Sequence, residues 1–400
     1  MRSIRPVLAA ASLAVVMALT ATACESGGDP KADAKPTNSA SKDAGSGSDE
    51  AQLPDDLDGI ADRLKERGID VDKWKNGEWK NWDKDKWLRE AKDFANPVIE
   101  GLWSDERKKS AKDPHQTVSS KAASSSEGVS DPEPRPVRAE QERRPYWKYA
   151  ASVGKIFFDT PEGAAVCSGT LVKDPRNPGK SNLVWTSGHC VHKGGPKGGW
   201  YRNIVFTPAY NHKGLSARAL ESAGPQDKAP YGEFWADWIS TSNEWIDGTT
   251  ATDPEGGSYE YDYAVLHVKP EKGTKSLEET VGTALPIDFS SPSPKSVDAM
   301  GAWGYPQAPP FDGALMHKCI DRPNRLSLTS SAPTMYRIGC TMTAGSSGGG
   351  WFRQTSGGKL ALVSNTSIGP AGSAGWLAGP QLGDGAKRVF DTMSKKYGSQ

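Results

Sequence analysis

From about residue 149 onward the chain consists of short runs rich in β-branched and aromatic residues, each closed by Gly, Pro or Asn. The runs fall at 153–158, 165–172, 183–186, 204–206, 264–268, 300–303 and 360–364, and no long helical stretch intervenes before 385–397. Branched and aromatic side chains fit a pleated, half-buried surface, and glycine and proline punctuate it. Many short strands with turns at this spacing predict an all-β sandwich or barrel.

One Gly- and Ser-rich run breaks that pattern. Residues 340–352 read C-T-M-T-A-G-S-S-G-G-G-W-F, which sets Ser347 between glycines. Glycine adopts backbone angles closed to other residues, so such a loop can turn amide N–H groups inward beside a protruding hydroxyl. Acyl transfer needs that pairing: a nucleophile, and donors aimed at the oxyanion it creates. Ser347 is the candidate nucleophile, and the N–H groups of Gly345 and Ser347 are the candidate oxyanion donors. A hydroxyl attacks weakly unless an imidazole takes its proton, and the imidazole needs a carboxylate to fix its tautomer. T-S-G-H-C-V at 186–191 supplies His189, and Y-E-Y-D-Y-A-V-L-H-V at 259–268 supplies Asp262 at the head of an apolar strand. Asp237, Asp247 and Asp253 compete for the acid's role but sit among loop residues. His192, His212, His267 and His317 are scattered among turns and strands and are read as structural or exposed.

The chain order His189, Asp262, Ser347 is that of chymotrypsin-like enzymes, not of subtilisins or α/β-hydrolases. With C-S-G-T at 167–170, S-G-H-C at 187–190, D-Y-A-V-L at 262–266 and G-S-S-G-G at 345–349, the sequence resembles the trypsin/chymotrypsin-like serine peptidases. It is most similar to their secreted bacterial branch, which includes glutamyl endopeptidases, over about 150–395. The resemblance implies two six-stranded antiparallel β-barrels, with His189 and Asp262 on the first and Ser347 on the second, and a closing helix at 386–393. The charged insert 211–253, with Trp235, Trp238 and Trp245, exceeds what such a barrel requires and is expected to form surface loops. The resemblance also implies a disulfide between Cys167 and Cys190, and with that pair set, one between Cys319 and Cys340. It implies protein or peptide substrates, a monomer, no cofactor and no metal.

Relatives that select charged P1 side chains carry an acid six residues before the nucleophile, or a histidine on the strand facing the pocket. Here the first position is Thr341, and the strand 362–368 reads L-V-S-N-T-S-I. A small or uncharged P1 residue is therefore expected. Thr341, Ser364, Asn365 and Thr366 are the candidate substrate-binding residues, with 364–366 pairing to substrate as an added strand. Ser364 is also expected to orient the Asp262 carboxylate. Members of the family activated by a new amino terminus carry an aspartate directly before the nucleophile. Ser346 stands there and cannot form that ion pair, so the oxyanion hole is expected not to depend on a freed amino terminus. Any latency would then come from residues 53–113 covering the site.

Those residues belong to a long upstream region. Arg2 and Arg5, a short apolar run at 7–19 and the small residues before Cys24 read as a signal peptide over 1–23. Of five cysteines in an exported protein one is left over, and Cys24 is the candidate for acylation, which would tie the chain to the outer face of a bacterial membrane. Residues 24–52 have almost nothing to bury and read as a flexible tether. Apolar residues at Leu57, Ile60, Ala61 and Leu64 have helical spacing, and a charged, Trp-rich stretch continues to 113. It is read as a small helical bundle or solvated arm, as a propeptide over the cleft, or as a contact surface. Residues 114–147, rich in Ser, Pro and Glu, are expected to be a disordered linker, and 148–400 the peptidase domain. Lys and Arg balance Asp and Glu at 49 each, so no global field argues for nucleic acid. The same machinery would serve an esterase, and a catalytically weak surface-binding protein on this fold is the reading from another class.

Overall fold

A computed structural model describes residues 70–82, 93–114, 116–123, 129–248 and 258–398. The expected signal peptide, tether, Cys24 and the periodic stretch at 57–64 lie outside the described residues. The described strands begin with β1 (Asp93–Ala95), β2 (Thr117–Val118) and β3 (Glu140–Gln141). Next come β4 (Val153–Thr160), β5 (Gly163–Val172), β6 (Leu183–Thr186), β7 (Arg202–Pro208), β8 (Phe234–Thr241) and β9 (Ala264–Pro270). The second half carries β10 (Met300–Gly304), β11 (His317–Asp321), β12 (Asn324–Leu326), β13 (Met335–Gly339) and β14 (Gly350–Gln354). It ends with β15 (Leu360–Asn365), β16 (Gly369–Pro370) and β17 (Trp376–Pro380).

The first half closes on itself. Strands β8, β7, β4, β5, β6 and β9 are hydrogen-bonded in that order, and β8 pairs again with β9. Closure leaves no unpaired edge. Side chains alternate with the period of two that a strand imposes. Ile156, Phe158, Val184, Ile204, Phe206, Ala264, Leu266 and Val268 share one core. Their neighbours Phe157, Leu183, Trp185, Val205 and Val265 point the other way into a second core, shared with the carboxy-terminal helix Asp384–Tyr397. That helix buries Ala386, Phe390, Met393 and Tyr397, one stripe at helical spacing. Each large side chain removed from water contributes about 1.5–3 kcal/mol.

The second half surrounds its core with two sheets, one ordered β15-β14-β10-β11-β3 and the other β12-β13-β17. Met300, Ala302, Cys319, Tyr336, Ile338, Trp351, Val363 and Leu377 meet between them. Both implied disulfides form, Cys167–Cys190 and Cys319–Cys340. The all-β architecture of two barrel-like halves and a closing helix is the one the sequence predicts.

Three upstream and insert expectations are corrected. Residues 129–147 are not a disordered linker. Their β3 extends the sheet on β11, Asp131 pairs with Arg325 at 2.9 Å, and Val137 O accepts from Thr341 N at 2.9 Å. Composition favoured disorder there, but backbone pairing to an existing edge needs few apolar side chains. The described part of the Trp-rich stretch, 70–82 and 93–113, likewise packs on the first barrel. Its β1 pairs with β8, and Trp103 donates its indole N–H to Asn203 O at 2.7 Å. Trp74 and Trp79 join the core of the first barrel. The insert supplies β8, with Trp235 and Trp238 buried on it, while Trp245 on the helix Asn243–Asp247 packs 6.4 Å from the His189 ring. Charged loops flank this aromatic strand and hide it in any averaged window.

Candidate active site

The imidazole is delivered by the end of β6. The chain leaves the barrel at Thr186 and makes a single tight turn, Gly188–Cys190, which the disulfide ties back to β5. His189 is fully buried, and its Nδ1 lies 2.7 Å from Asp262 Oδ2. The backbone N–H of His189 donates to Asp262 Oδ1 at 2.7 Å, and the Ser367 hydroxyl donates to Oδ2 at 2.5 Å. The carboxylate therefore sits in a cage of three partners and keeps Nδ1 as the protonated nitrogen. Burial alone would push the His189 pKa down. The Asp262 charge and hydrogen bond outweigh it, Asp113 adds to them, and the net direction is upward from 6.5. Nε2 is buried and has no hydrogen-bond partner among the described residues.

Ser347 stands between β13 and β14, in a loop that glycine alone permits. Gly345 has φ +98°, and a Cβ there would lie 2.5 Å from Tyr305 O and 2.8 Å from Gln307 N. Gly348, at φ +74°, would bring a Cβ to 2.1 Å from Thr186 Oγ1, on the strand that leads to His189. The loop is pinned across the seam by one residue of β5: Ser168 N donates to Ser347 O at 2.7 Å, and its hydroxyl donates to Gly345 O at 2.9 Å. The Gly345 N–H points the other way and donates to the Asp113 carboxylate. Ser346 turns its hydroxyl to Thr343 O at 2.8 Å. Ser347 is 6% exposed.

A groove of about 1030 Å³ opens beside Ser347, lined among others by Thr341, Met342, Thr343, Thr366 and Ile368. Thr341 and Thr366, two of the candidate substrate-binding residues, line this groove. Ser364 and Asn365 do not. Both are fully buried on β15, paired with Trp351 and Gly350 of β14, and neither lines the groove. The Ser364 hydroxyl donates to Pro380 O at 2.7 Å, not to Asp262. Asn365 is a buried strut whose amide donates to Asp262 O at 2.9 Å and to Ser187 Oγ at 2.7 Å. The role given to Ser364 falls to Ser367, three residues on, where the chain has left β15. Two serines separated by three residues look alike in sequence; only the strand register separates them. Ser168, Ser367 and Asp113 were missed altogether.

Among the competing acids, Asp237 pairs with His267 at 2.6 Å, Asp247 is exposed, and Asp253 lies outside the described residues. Burial drives the His192 pKa down to about 3, so that ring is neutral; its Nδ1 accepts from Gly194 N at 2.9 Å. Cys167, His189 and Cys190 bring ligand atoms within 4.8 Å, but the two sulfurs are bonded to each other and cannot serve a metal.

No family model matches the sequence, and no curated protein does. Solved structures do match. The protease Anisep from Arthrobacter nicotinovorans shares 26% identity at a TM-score of 0.51, over 64% of this chain and 99% of its own. A thermostable serine protease, AL20, from an extremophilic microorganism shares 32% identity at a TM-score of 0.49, over 62% of this chain and 98% of its own. A Glu endopeptidase complexed with MPD shares 15% identity at a TM-score of 0.46, over 67% and 100%. With a closed six-stranded barrel, a second barrel-like half, a carboxy-terminal helix and this likeness to Anisep, the chain belongs to the trypsin/chymotrypsin-like serine peptidases.

Proposed function

We propose that the protein is an extracellular serine endopeptidase acting through Ser347, His189 and Asp262. The observation that carries this reading is the buried His189–Asp262 pair, its Nε2 unpaired among the described residues, on the turn just past Thr186, against which Gly348 of the Ser347 loop packs. As Ser347 Oγ attacks a peptide carbonyl carbon, its proton passes to Nε2. The carbonyl oxygen becomes an oxyanion and takes the N–H groups of Gly345 and Ser347. The C–N bond then breaks, the leaving amine takes the proton from Nε2, and an acyl ester remains on Ser347. Water repeats the sequence and releases the acid. Asp262 stays ionised throughout and stabilises the imidazolium.

The groove presents Thr341, Met342, Thr366 and Ile368, none of them charged, and its charges elsewhere are of both signs, Arg138 against Glu140. These favour a small or uncharged P1 side chain. The two disulfides favour an oxidising compartment. One observation favours a catalytically weak binding protein instead: a carboxylate already sits on the Gly345 N–H. Digestion of a mixed peptide library by the wild-type chain and by Asp113→Ala, read by mass spectrometry with Ser347→Ala as the blank, decides between the readings. Cleavage after uncharged residues, absent from the blank and insensitive to EDTA, is the expected result. Products equal to the blank in both chains would remove the peptidase reading.

A further inference from the structure

The chain's own upstream segment, residues 111–118, runs along the groove, which its Gln116 and Thr117 line; His115 within it lies outside the described residues. At one end Lys112 pairs in parallel with Ala165 of β5: Lys112 N donates to Ala164 O and Val166 N donates to Lys112 O, each at 3.0 Å. Gln307 Nε2 donates to Ala111 O at 2.6 Å. At the other end β2 pairs in parallel with β16, and Ala371 N donates to Val118 O at 2.8 Å. Val118 is buried with Ile368 and Trp376. The segment therefore bridges both halves of the molecule, and Asp113 stands at the middle of the bridge. Its carboxylate accepts from Gly345 N–H, one of the two donors assigned to the oxyanion. Just upstream, the helix Asp105–Ser110 fastens the segment to the first barrel: Arg107 pairs with Asp159, and Lys108 with Glu233.

Resting on the peptidase reading, we infer that residues 111–118 are a built-in inhibitor, with the Asp113 carboxylate occupying the place that the tetrahedral oxyanion takes during catalysis. The chemistry suits that role. A carboxylate already carries the negative charge that inward N–H groups are arranged to receive, and a hydrogen bond to a charged acceptor is about twice as strong as a neutral one. Its carbon is a poor electrophile, because both oxygens share the charge. Ser347 therefore faces a group that fills the hole and offers no bond to cut. The backbone pairing on either side holds the segment without need of particular side chains, as a bound peptide would be held. Latency in this enzyme resides in eight residues of the 53–113 region and its continuation, and release of the segment opens the groove.

The test is the rate at which a fluorophosphonate probe labels Ser347 in the full chain, with Ser347→Ala as the blank. The wild type is expected to label slowly. Asp113→Ala and the isosteric, uncharged Asp113→Asn should label roughly ten- to a hundredfold faster, the range set by one hydrogen bond to a charged group. Gln307→Ala, which loosens the segment at Ala111, should label a few-fold faster. Hydrogen exchange on the wild type provides a readout that does not depend on any variant folding: peptides covering 343–349 and 367–371 should be protected until the segment is cut away. Equal labelling of Ser347 in wild type and all variants, or rapid exchange in those peptides, overturns the inhibitor and leaves the peptidase reading intact. No labelling in any chain, variants included, overturns both.

Discussion

The first barrel holds two buried histidine–aspartate pairs, and they are close to identical as pairs. His189 Nδ1 meets Asp262 at 2.7 Å, and His267 Nδ1 meets Asp237 at 2.6 Å. What surrounds them differs. The Asp262 carboxylate also receives the His189 backbone N–H and the Ser367 hydroxyl, and Nε2 of its partner is unpaired among the described residues. His267 instead lies flat against Tyr397 of the closing helix, ring centroids 3.5 Å apart and planes 4° from parallel. One imidazole is oriented and left able to exchange a proton; the other is spent on packing. A short Nδ1–carboxylate distance therefore does not identify a base. What faces the second nitrogen does.

The widest gap should come from deleting the rings. His189→Ala and Ser347→Ala are each expected to lower kcat on a peptide substrate by on the order of 10⁶-fold. His267→Ala should keep kcat per folded molecule within about twofold while lowering stability by about 1–3 kcal/mol, measured by urea unfolding. A large kcat loss in His267→Ala would break the contrast. Next come the acids. Asp262→Asn should lower kcat by on the order of 10⁴-fold by favouring the wrong tautomer, whereas Asp237→Asn should shift only the unfolding midpoint. The two serines are a finer probe: Ser367→Ala is expected to reduce kcat roughly three- to tenfold through loss of one hydrogen bond to the carboxylate, and Ser364→Ala to leave it alone. If the order of the two serines came out reversed, the assignment of the carboxylate's third partner would be wrong.

The smallest effect is on pH dependence. The base must be neutral, so the rate of Ser347 labelling should rise with pH along a limb centred above 6.5, because the His189 pKa is held up by Asp262 and Asp113 against burial. Asp113→Asn removes one of those charges and should move the midpoint down, while Asp237→Asn should not move it. The linkage has the matching sign. A histidine with a raised folded pKa adds stability below pH 6.5, and that contribution is lost as pH rises through the folded value. His192, held neutral by burial down to about pH 3, contributes with the opposite sign: below 6.5 the unfolded ring takes up a proton that the folded ring refuses, so its contribution lowers stability as pH falls.

Much of this was legible before any coordinates. Strands β4, β5, β6, β9, β10 and β15 stand out as apolar, β-branched runs, and the residues around His189, Asp262 and Ser347 carry the spacing of a triad. The rest was hidden for physical reasons. β8 lies inside a charged insert, so its aromatic residues were averaged away. Ser367 could not be told from Ser364 without the β14–β15 register. Asn365 reads as a polar residue on a substrate-facing strand, yet burial makes it a strut under Asp262. Residues 129–141 and Asp113 owe their positions to backbone pairing with distant strands, and such pairing leaves little mark on local composition.

The central claim is that the imidazole of His189, and not that of His267, serves the Ser347 hydroxyl. Peptide mapping of a fluorophosphonate adduct tests it most directly, run in the Asp113→Ala background on the otherwise native chain and on chains carrying His189→Ala or His267→Ala. The account predicts a single adduct on Ser347, strongly suppressed by His189→Ala and unaffected by His267→Ala. An adduct on another serine, or equal labelling whichever histidine is removed, would contradict it.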